Sequence, residues 1–291
     1  MRGTIDGFSY GVVTPLVGYV MACLGGALGL RCTTRSLLVT RSWRPAWLAL
    51  GSTAIGSGIW TMHFIAMMGF SIDETPIRFD MPMTYASLGL AIVMVGVGIF
   101  IIGHRGAIGT SLVTGGTITG LGVASMHYLG MAGMRFDGRF IYDIAGVVVS
   151  VVIAVVAATV ALWAAGHVRG LRGSIGASLV MGLAVSGMHY TGMAGLTVHL
   201  HGTPGSTTRG SAAAVLAPVL IGPLALLLLA AVVVMFDPLM VKGTPRPVPA
   251  EARPGVPAAA VPSHQRVRPS QRPVREPVHA DAHGFRTPQR H

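Results

Sequence analysis

The 291 residues are 52% hydrophobic and only 11% charged, with a mean hydropathy of +0.64, which excludes an ordinary soluble protein, where about 25% of residues carry charge. Twenty-one Lys and Arg against 10 Asp and Glu give a formal charge of +11. Such an excess marks either nucleic-acid binding or the inner face of a membrane, and its distribution along the chain decides for the membrane.

A bilayer core of about 30 Å takes roughly 20 apolar residues per helix. Charge-free stretches of that length fall at about residues 12–30, 46–70, 83–103, 110–134, 144–165, 174–196 and 211–236. Arg2 ahead of the first stretch and small residues near its end have the outline of a signal peptide. Arg31, Arg35, Arg41 and Arg44 follow it, however, and resist translocation, which favours an uncleaved first span with the N-terminus outside. Alternate loops agree, since positive charge collects in the cytoplasm. Those after spans one, three and five carry these four arginines, then Arg105, then Arg169 and Arg172; those after spans two, four and six hold Asp73, Glu74, Asp80, Asp137 and Asp143 against Arg78, Arg135, Arg139 and Arg209. The expected fold is an all-α integral membrane protein, a seven-transmembrane helix bundle in the cell membrane. Cys23 lies mid-membrane and Cys32 at the cytoplasmic end, so no disulfide is expected, and neither makes a thiolate metal motif.

The expected domains are residues 1–236 in the membrane and a cytoplasmic tail, 237–291. The tail is dense in Pro, Arg, Ala and His and has too few bulky apolar side chains to offset chain entropy, which predicts disorder. Its nine Lys and Arg suit anionic membrane lipid. Without interleaved aromatics they do not favour RNA, and no nucleic-acid partner is expected. His279 and His283 stand four apart, a spacing without geometric meaning in a coil.

An internal repeat carries the chemistry. Thr61-Met-His-Phe-Ile-Ala-Met-Met-Gly69, Ser125-Met-His-Tyr-Leu-Gly-Met-Ala-Gly133 and Gly187-Met-His-Tyr-Thr-Gly-Met-Ala-Gly195 recur every 62 to 64 residues. One period equals two spans, so the chain reads as three helical hairpins plus a seventh helix. Each copy lies on an even-numbered span, its histidine about seven residues, or about 10 Å, below the outer helix end. His63, His127 and His189 therefore share one level. Residues four apart stack on one helix face, which sets Met67 over His63, Met131 over His127 and Met193 over His189. The i+3 positions, Ala66, Gly130 and Gly192, are small and allow close helix approach or room for a ligand. Met62, Met126 and Met188 point about 100° away and are secondary candidates.

Imidazole plus thioether is a soft, neutral donor set that suits copper, Cu(I) above all, and avoids carboxylates in a low dielectric. Zinc fits less well without Cys or carboxylate. For one copy alone, packing is the simpler account, because Met fills apolar gaps; three histidines at one level turn the balance toward a metal. His104 and His167 read as interfacial residues of cytoplasmic loops, and His199 and His201 as outer-loop residues beside the third motif. Tyr128 and Tyr190 are either packing residues or hydrogen-bonding support for the histidines. Two rival readings stay open: copper acquisition or chaperoning, which wants further soft ligands deeper in the membrane, where only Met21, Cys23, Met94 and Met181 occur; and a haem-binding redox protein with two histidines on one iron, which the stacked Met and close Gly would crowd. With no paired carboxylates, no intramembrane Asp or Glu and no phosphate-cradling loop, the chain is not expected to be an enzyme, and no residue is assigned a catalytic role.

These blocks resemble the MHYT family, named for its Met-His-Tyr-Thr signature, over about residues 8–236. The resemblance implies a bacterial inner-membrane sensor domain for signal transduction, with a copper site near the outer face that detects oxygen, carbon monoxide or nitric oxide, coupled to a cytoplasmic signalling domain. Only the third copy reads Met188-His189-Tyr190-Thr191 in full; the first has Phe64 and Ile65, the second Leu129, so Thr is not a repeated ligand. The 55 residues after the seventh span are too few for a cyclase, phosphodiesterase or kinase domain, and signalling is expected to run through a partner protein.

Overall fold

The computed structural model describes residues 3–7, 9–168, 170–201 and 212–237. Among them are seven helices: α1 (Val13–Ser36), α2 (Arg44–Met68), α3 (Met81–Arg105), α4 (Gly109–Ala132), α5 (Ile144–His167), α6 (Gly170–Ala194) and α7 (Ala212–Phe236). At 24 or 25 residues each, they reach about 36 Å, enough for a bilayer core. Five of them, α1, α3, α5, α6 and α7, are long and apolar enough to cross a membrane. In α2 and α4 the helix interior is rich in Gly, Ser and Thr, and these face protein. Gly51, Ser52, Gly56, Ser57, Gly58 and Thr61 of α2 are all buried. Some hydroxyls inside the bundle bond their own helices: Ser52 donates to the Leu48 carbonyl at 2.7 Å and Thr33 to Gly29 at 2.9 Å, whereas the Ser57 and Thr61 hydroxyls are buried without a hydrogen-bond partner among the described residues.

Helices α1 to α6 pack consecutively into a ring, closed by α6 against α1, and α7 lies against α2 and α1. Small residues set the closest approach. A Cβ on Gly25 of α1 would sit 2.6 Å from the Ala54 carbonyl oxygen and 2.8 Å from the Gly58 Cα of α2, so the backbones touch there as small-residue packing allows.

The all-helical expectation misses three short ribbons at one end of the bundle. β1 (Ile5–Asp6) pairs with β2 (Ser71–Ile72), β3 (Arg78–Phe79) with β4 (Met134–Arg135), and β5 (Gly138–Tyr142) with β6 (Leu196–Leu200), all antiparallel. Each joins the segment before an odd-numbered helix to the segment after the next helix, so the repeating unit is strand, helix, helix, strand. A further bond recurs in every unit: the carbonyl of the motif's last glycine accepts a backbone N–H from the entrance of the paired helix, Ser9 to Gly69 at 3.0 Å, Asp80 to Gly133 at 2.8 Å and Asp143 to Gly195 at 3.0 Å. Gly3 N–H donates to the Val198 carbonyl at 2.9 Å, which links the first unit to the third.

The first helix overruns its expected end by six residues, so Arg31 and Arg35 lie on α1 rather than in a loop. Arg35 Nε donates to Asp237 at 2.6 Å, which anchors the end of α7 to the end of α1 and lets the cation close the helix. His104 and His167, expected in loops, are the last turns of α3 and α5, stacked on Phe100 and Trp163 one turn back. Cys23 and Cys32 are both free. Of the tail, only Asp237 is described; the disorder expected for it, and the reading of His279 and His283, lie outside the described residues.

Asp80 caps α3, accepting the Met83 N–H at 3.2 Å, and pairs with Arg135 at 3.1 Å. The Met83 N–H, then the guanidinium, hold its carboxyl below the ordinary value. A depressed pKa contributes stability that is present above the unfolded value and is lost as pH falls through the folded one. The thermal midpoint is therefore expected to fall as pH drops below about 4, and Asp80→Ala, already less stable at pH 7, to show a smaller acid-induced drop. An unchanged acid slope in the variant would remove this role.

Candidate metal centre

Antiparallel hairpins send α2, α4 and α6 the same way, and the ribbons hold their ends level. Each motif histidine stands five residues before the last residue of its helix, Met68, Ala132 or Ala194, somewhat nearer the end than the expected seven. His63, His127 and His189 are 1%, 1% and 2% exposed, and they meet. Their Nδ1 atoms form a triangle with edges of 3.1 Å (His63 to His189), 3.2 Å (His63 to His127) and 3.2 Å (His127 to His189). The rings stand nearly perpendicular, at 77° to 89°, with centroids 4.9 to 5.0 Å apart.

Three neutral imidazoles cannot satisfy this triangle by themselves. Each Nδ1 is either a donor or an acceptor, and in a ring of three at least one contact must join like to like. Three lone pairs aimed at a common centre suit a cation instead. An ion bound tetrahedrally at about 2.0–2.1 Å by imidazole nitrogens puts them about 3.3–3.4 Å apart, close to the spacing here. The residues present thus fit a three-histidine ion site, and they are the one such cluster of His, Cys, Asp or Glu found among the described residues.

The i+3 small residues are seats for neighbouring rings. A Cβ on Gly130 would lie 2.7 Å from His63 Nε2, and one on Gly192 3.0 Å from His127 Nε2. Both of those nitrogens are buried without a hydrogen-bond partner among the described residues. Phe64 and Tyr128 wall the rings edge-on at 4.7 and 4.8 Å. The Tyr128 hydroxyl bonds Ser150 on α5 at 2.7 Å, and its ring packs on Tyr142, whose phenol is pushed up to about 12 by burial and then by Tyr128. Tyr128 is thus a packing residue that ties α4 to α5.

The methionines are placed unequally. Met67 and Met193 line one cavity with His189, and Met131 does not; Met67 and Met131 are both fully buried in the hydrophobic core. Met62 packs against Gly18 of α1, and Met188 lies among Ile59, Val123, Met181 and Val185; Met126 is also fully buried. His199 pairs with Arg139 across the third ribbon, and His201, the residue after that ribbon, donates its N–H to the Asp137 carbonyl. Sequence reasoning missed Ile5, Gly7 and Phe70, which line the cavity beside His189; two of them precede the first helix, where the repeat gives no signal.

The arrangement defines a class: a helical bundle built from three repeats, each contributing one histidine to a buried centre. The comparisons find two of these repeats. Residues 56–115 and 120–178 match MHYT, the bacterial signalling protein N terminal repeat, and the chain belongs to this family. The third motif lies outside the matched segments, yet His189 completes the triangle. The chain is 34% identical over 207 residues to the bifunctional diguanylate cyclase/cyclic di-GMP phosphodiesterase MucR of Pseudomonas aeruginosa, covering 69% of the chain and 30% of that protein. It is 31% identical over 215 residues to the cyclic di-GMP phosphodiesterase NbdA of the same organism, covering 69% and 27%, and 29% identical over 201 residues to the signaling protein YkoW of Bacillus subtilis, covering 66% and 24%. The chain thus spans less than a third of the length of these curated relatives. No solved structure matches it.

Gly130→Ala drives a methyl group against His63 and is expected to cost about 1–3 kcal/mol by over-packing, read as a lowered melting temperature. Gly187→Ala, on α6 where a Cβ meets nothing within 4 Å, is the contrasting variant and should not lower it. Equal melting temperatures for the two would contradict the seat.

Proposed function

We propose that this chain is the non-catalytic sensing unit of a bacterial membrane signalling system. It crosses the membrane seven times, holds copper as Cu(I) near the outer face, and passes a change at that centre to a cytoplasmic signalling protein. The triangle of His63, His127 and His189 nitrogens carries the reading. Three imidazoles alone suit zinc as well as copper; the thioethers of Met67 and Met193 on the cavity beside His189 favour the softer ion, with Met131 a third candidate ligand. When bound, copper supplies a soft, redox-active centre able to take a diatomic ligand. The signal, a diatomic gas or a redox change, follows from the family resemblance, and the output through a partner or fused domain is supported by the cyclase and phosphodiesterase names of the relatives.

Charge supports the orientation. All seven helices lack Asp and Glu. Arg31, Arg35, Arg41, Arg44, Arg105 and Arg172 gather at the end away from the histidines, against Arg78, Arg135 and Arg139 at the histidine end, an excess that under the positive-inside rule supports an outside N-terminus. Haem is disfavoured, because rings this close leave no slot for a macrocycle between two of them. Copper acquisition is disfavoured because the deeper soft residues serve packing: Cys23 contacts the Gly182 position, Met94 Gly122 and Met181 Gly26.

Signalling also needs a bundle with two arrangements of similar energy. The six-helix ring supplies parallel helices that run from the histidine level to the basic end.

Protein purified from copper-supplied membranes is expected to carry copper, and His63→Ala, His127→Ala and His189→Ala variants to lose it; equal metal content in all four removes the reading. A reporter fused after Phe236 should be active in the cytoplasm, and periplasmic activity would invert the topology.

A further inference from the structure

The repeats do not enclose the three histidines equally. His63 and His127 are closed off at Nε2 by Gly130 and Gly192 of the next helix in order. The third seat is Ala66 of α2, and there the packing opens. A cavity of about 280 Å³ lies between α2 and α6, lined by Ala66, Met67, His189 and Met193 and reached by Ile5 and Gly7 of the N-terminal segment. Exposure rises along it, from 1% at Met67 and 2% at His189 through half-buried Met193 to exposed Ala194. Two of the three motif methionines open onto this passage together with a histidine. The third, Met131, is as deeply buried as Met67 but does not line the cavity.

We infer that this cavity is the portal through which a soft monovalent cation reaches the three-histidine centre, with Met67 and Met193 as thioether stations along it. The inference rests on the copper reading above. No carboxylate lines the cavity, where Tyr190 is the one side chain that carries oxygen, so a hard cation shedding water finds few oxygen ligands to replace it, whereas Cu(I) finds two thioethers and an imidazole. The portal has a strap. The N-terminal segment crosses it on a two-residue ribbon, Ile5 opposite Ile72 and Asp6 opposite Ser71, helped by the Gly3 N–H on Val198, the Thr4 N–H on the Glu74 carboxylate at 3.0 Å, and Ser9 and Ser71 hydroxyls at 2.9 Å. Such a short, exposed set of bonds belongs to the part of a fold that opens first.

Two measurements on the full-length protein in detergent test this. In a background of Cys23→Ala and Cys32→Ala, single Met67→Cys, Met193→Cys and Met131→Cys variants are treated with a small charged methanethiosulfonate. Positions 67 and 193 are expected to react at least about tenfold faster than 131, a difference in barrier of about 1.4 kcal/mol. Equal rates at 67 and 131 overturn the portal. In the second, metal-free wild type and Ala194→Phe, which plugs the exposed mouth, take Cu(I) from a coloured chelator complex. The plugged variant is expected to load about tenfold more slowly and to reach the same final content; equal loading rates overturn the route. Wild type that takes no Cu(I) while the labelling contrast holds refutes the copper reading, and the cation route with it, but leaves an open cavity as a structural fact.

Discussion

Three imidazole nitrogens at mutual contact are the constraint around which this protein is built. Two such groups would make a hydrogen bond, and four could alternate donor and acceptor around a square, but three leave one contact unmatched whatever the tautomers. Burial of all three rings raises the cost of that mismatch. A centre of this kind is stable when something positive sits at its middle, and the surrounding bundle is consistent with holding it ready. Glycines let the rings seat against helix backbones, aromatic side chains wall them in, and the ribbons fix the three helix ends at one height.

The repeat explains how so small a membrane domain achieves this placement. Each strand, helix, helix, strand unit is closed at its histidine end by the same pair of devices: a short ribbon and the bond onto the carbonyl of the motif's last glycine. Because the units are alike, the three histidines arrive at one level without any long-range adjustment. The departures from symmetry are as informative as the symmetry. Ala66 replaces glycine at one of the three seats, α7 is packed on the first hairpin, and the N-terminal segment lies across the third seam.

Much of this was legible in the residues. Absence of charge located all seven helices, and a His motif tripled at a period of 62 to 64 residues placed the three histidines at the one level where they meet. The same reading counted α2 and α4 as spans; both are helices of the bundle, but among the described helices only the other five are long and apolar enough to cross a membrane. What escaped were features with no periodic signature. Ribbons of two residues are too short for an alternating pattern. Arg35 looked like a loop cation because its partner Asp237 lies at the far end of the domain in sequence. The unequal methionines followed from packing on the third seam, and helical spacing alone made Met67, Met131 and Met193 equivalent.

The bond from Gly3 to Val198 gives the cap the form of a hoop rather than three separate clasps. Load applied to any one helix end is carried round the rim, so the helices cannot settle independently, and the weakest link of the rim is the stretch next to the amino terminus. A fusion or affinity handle placed there would hang from the one joint whose loosening unfastens the whole circle, while a handle at the opposite terminus leaves the rim intact.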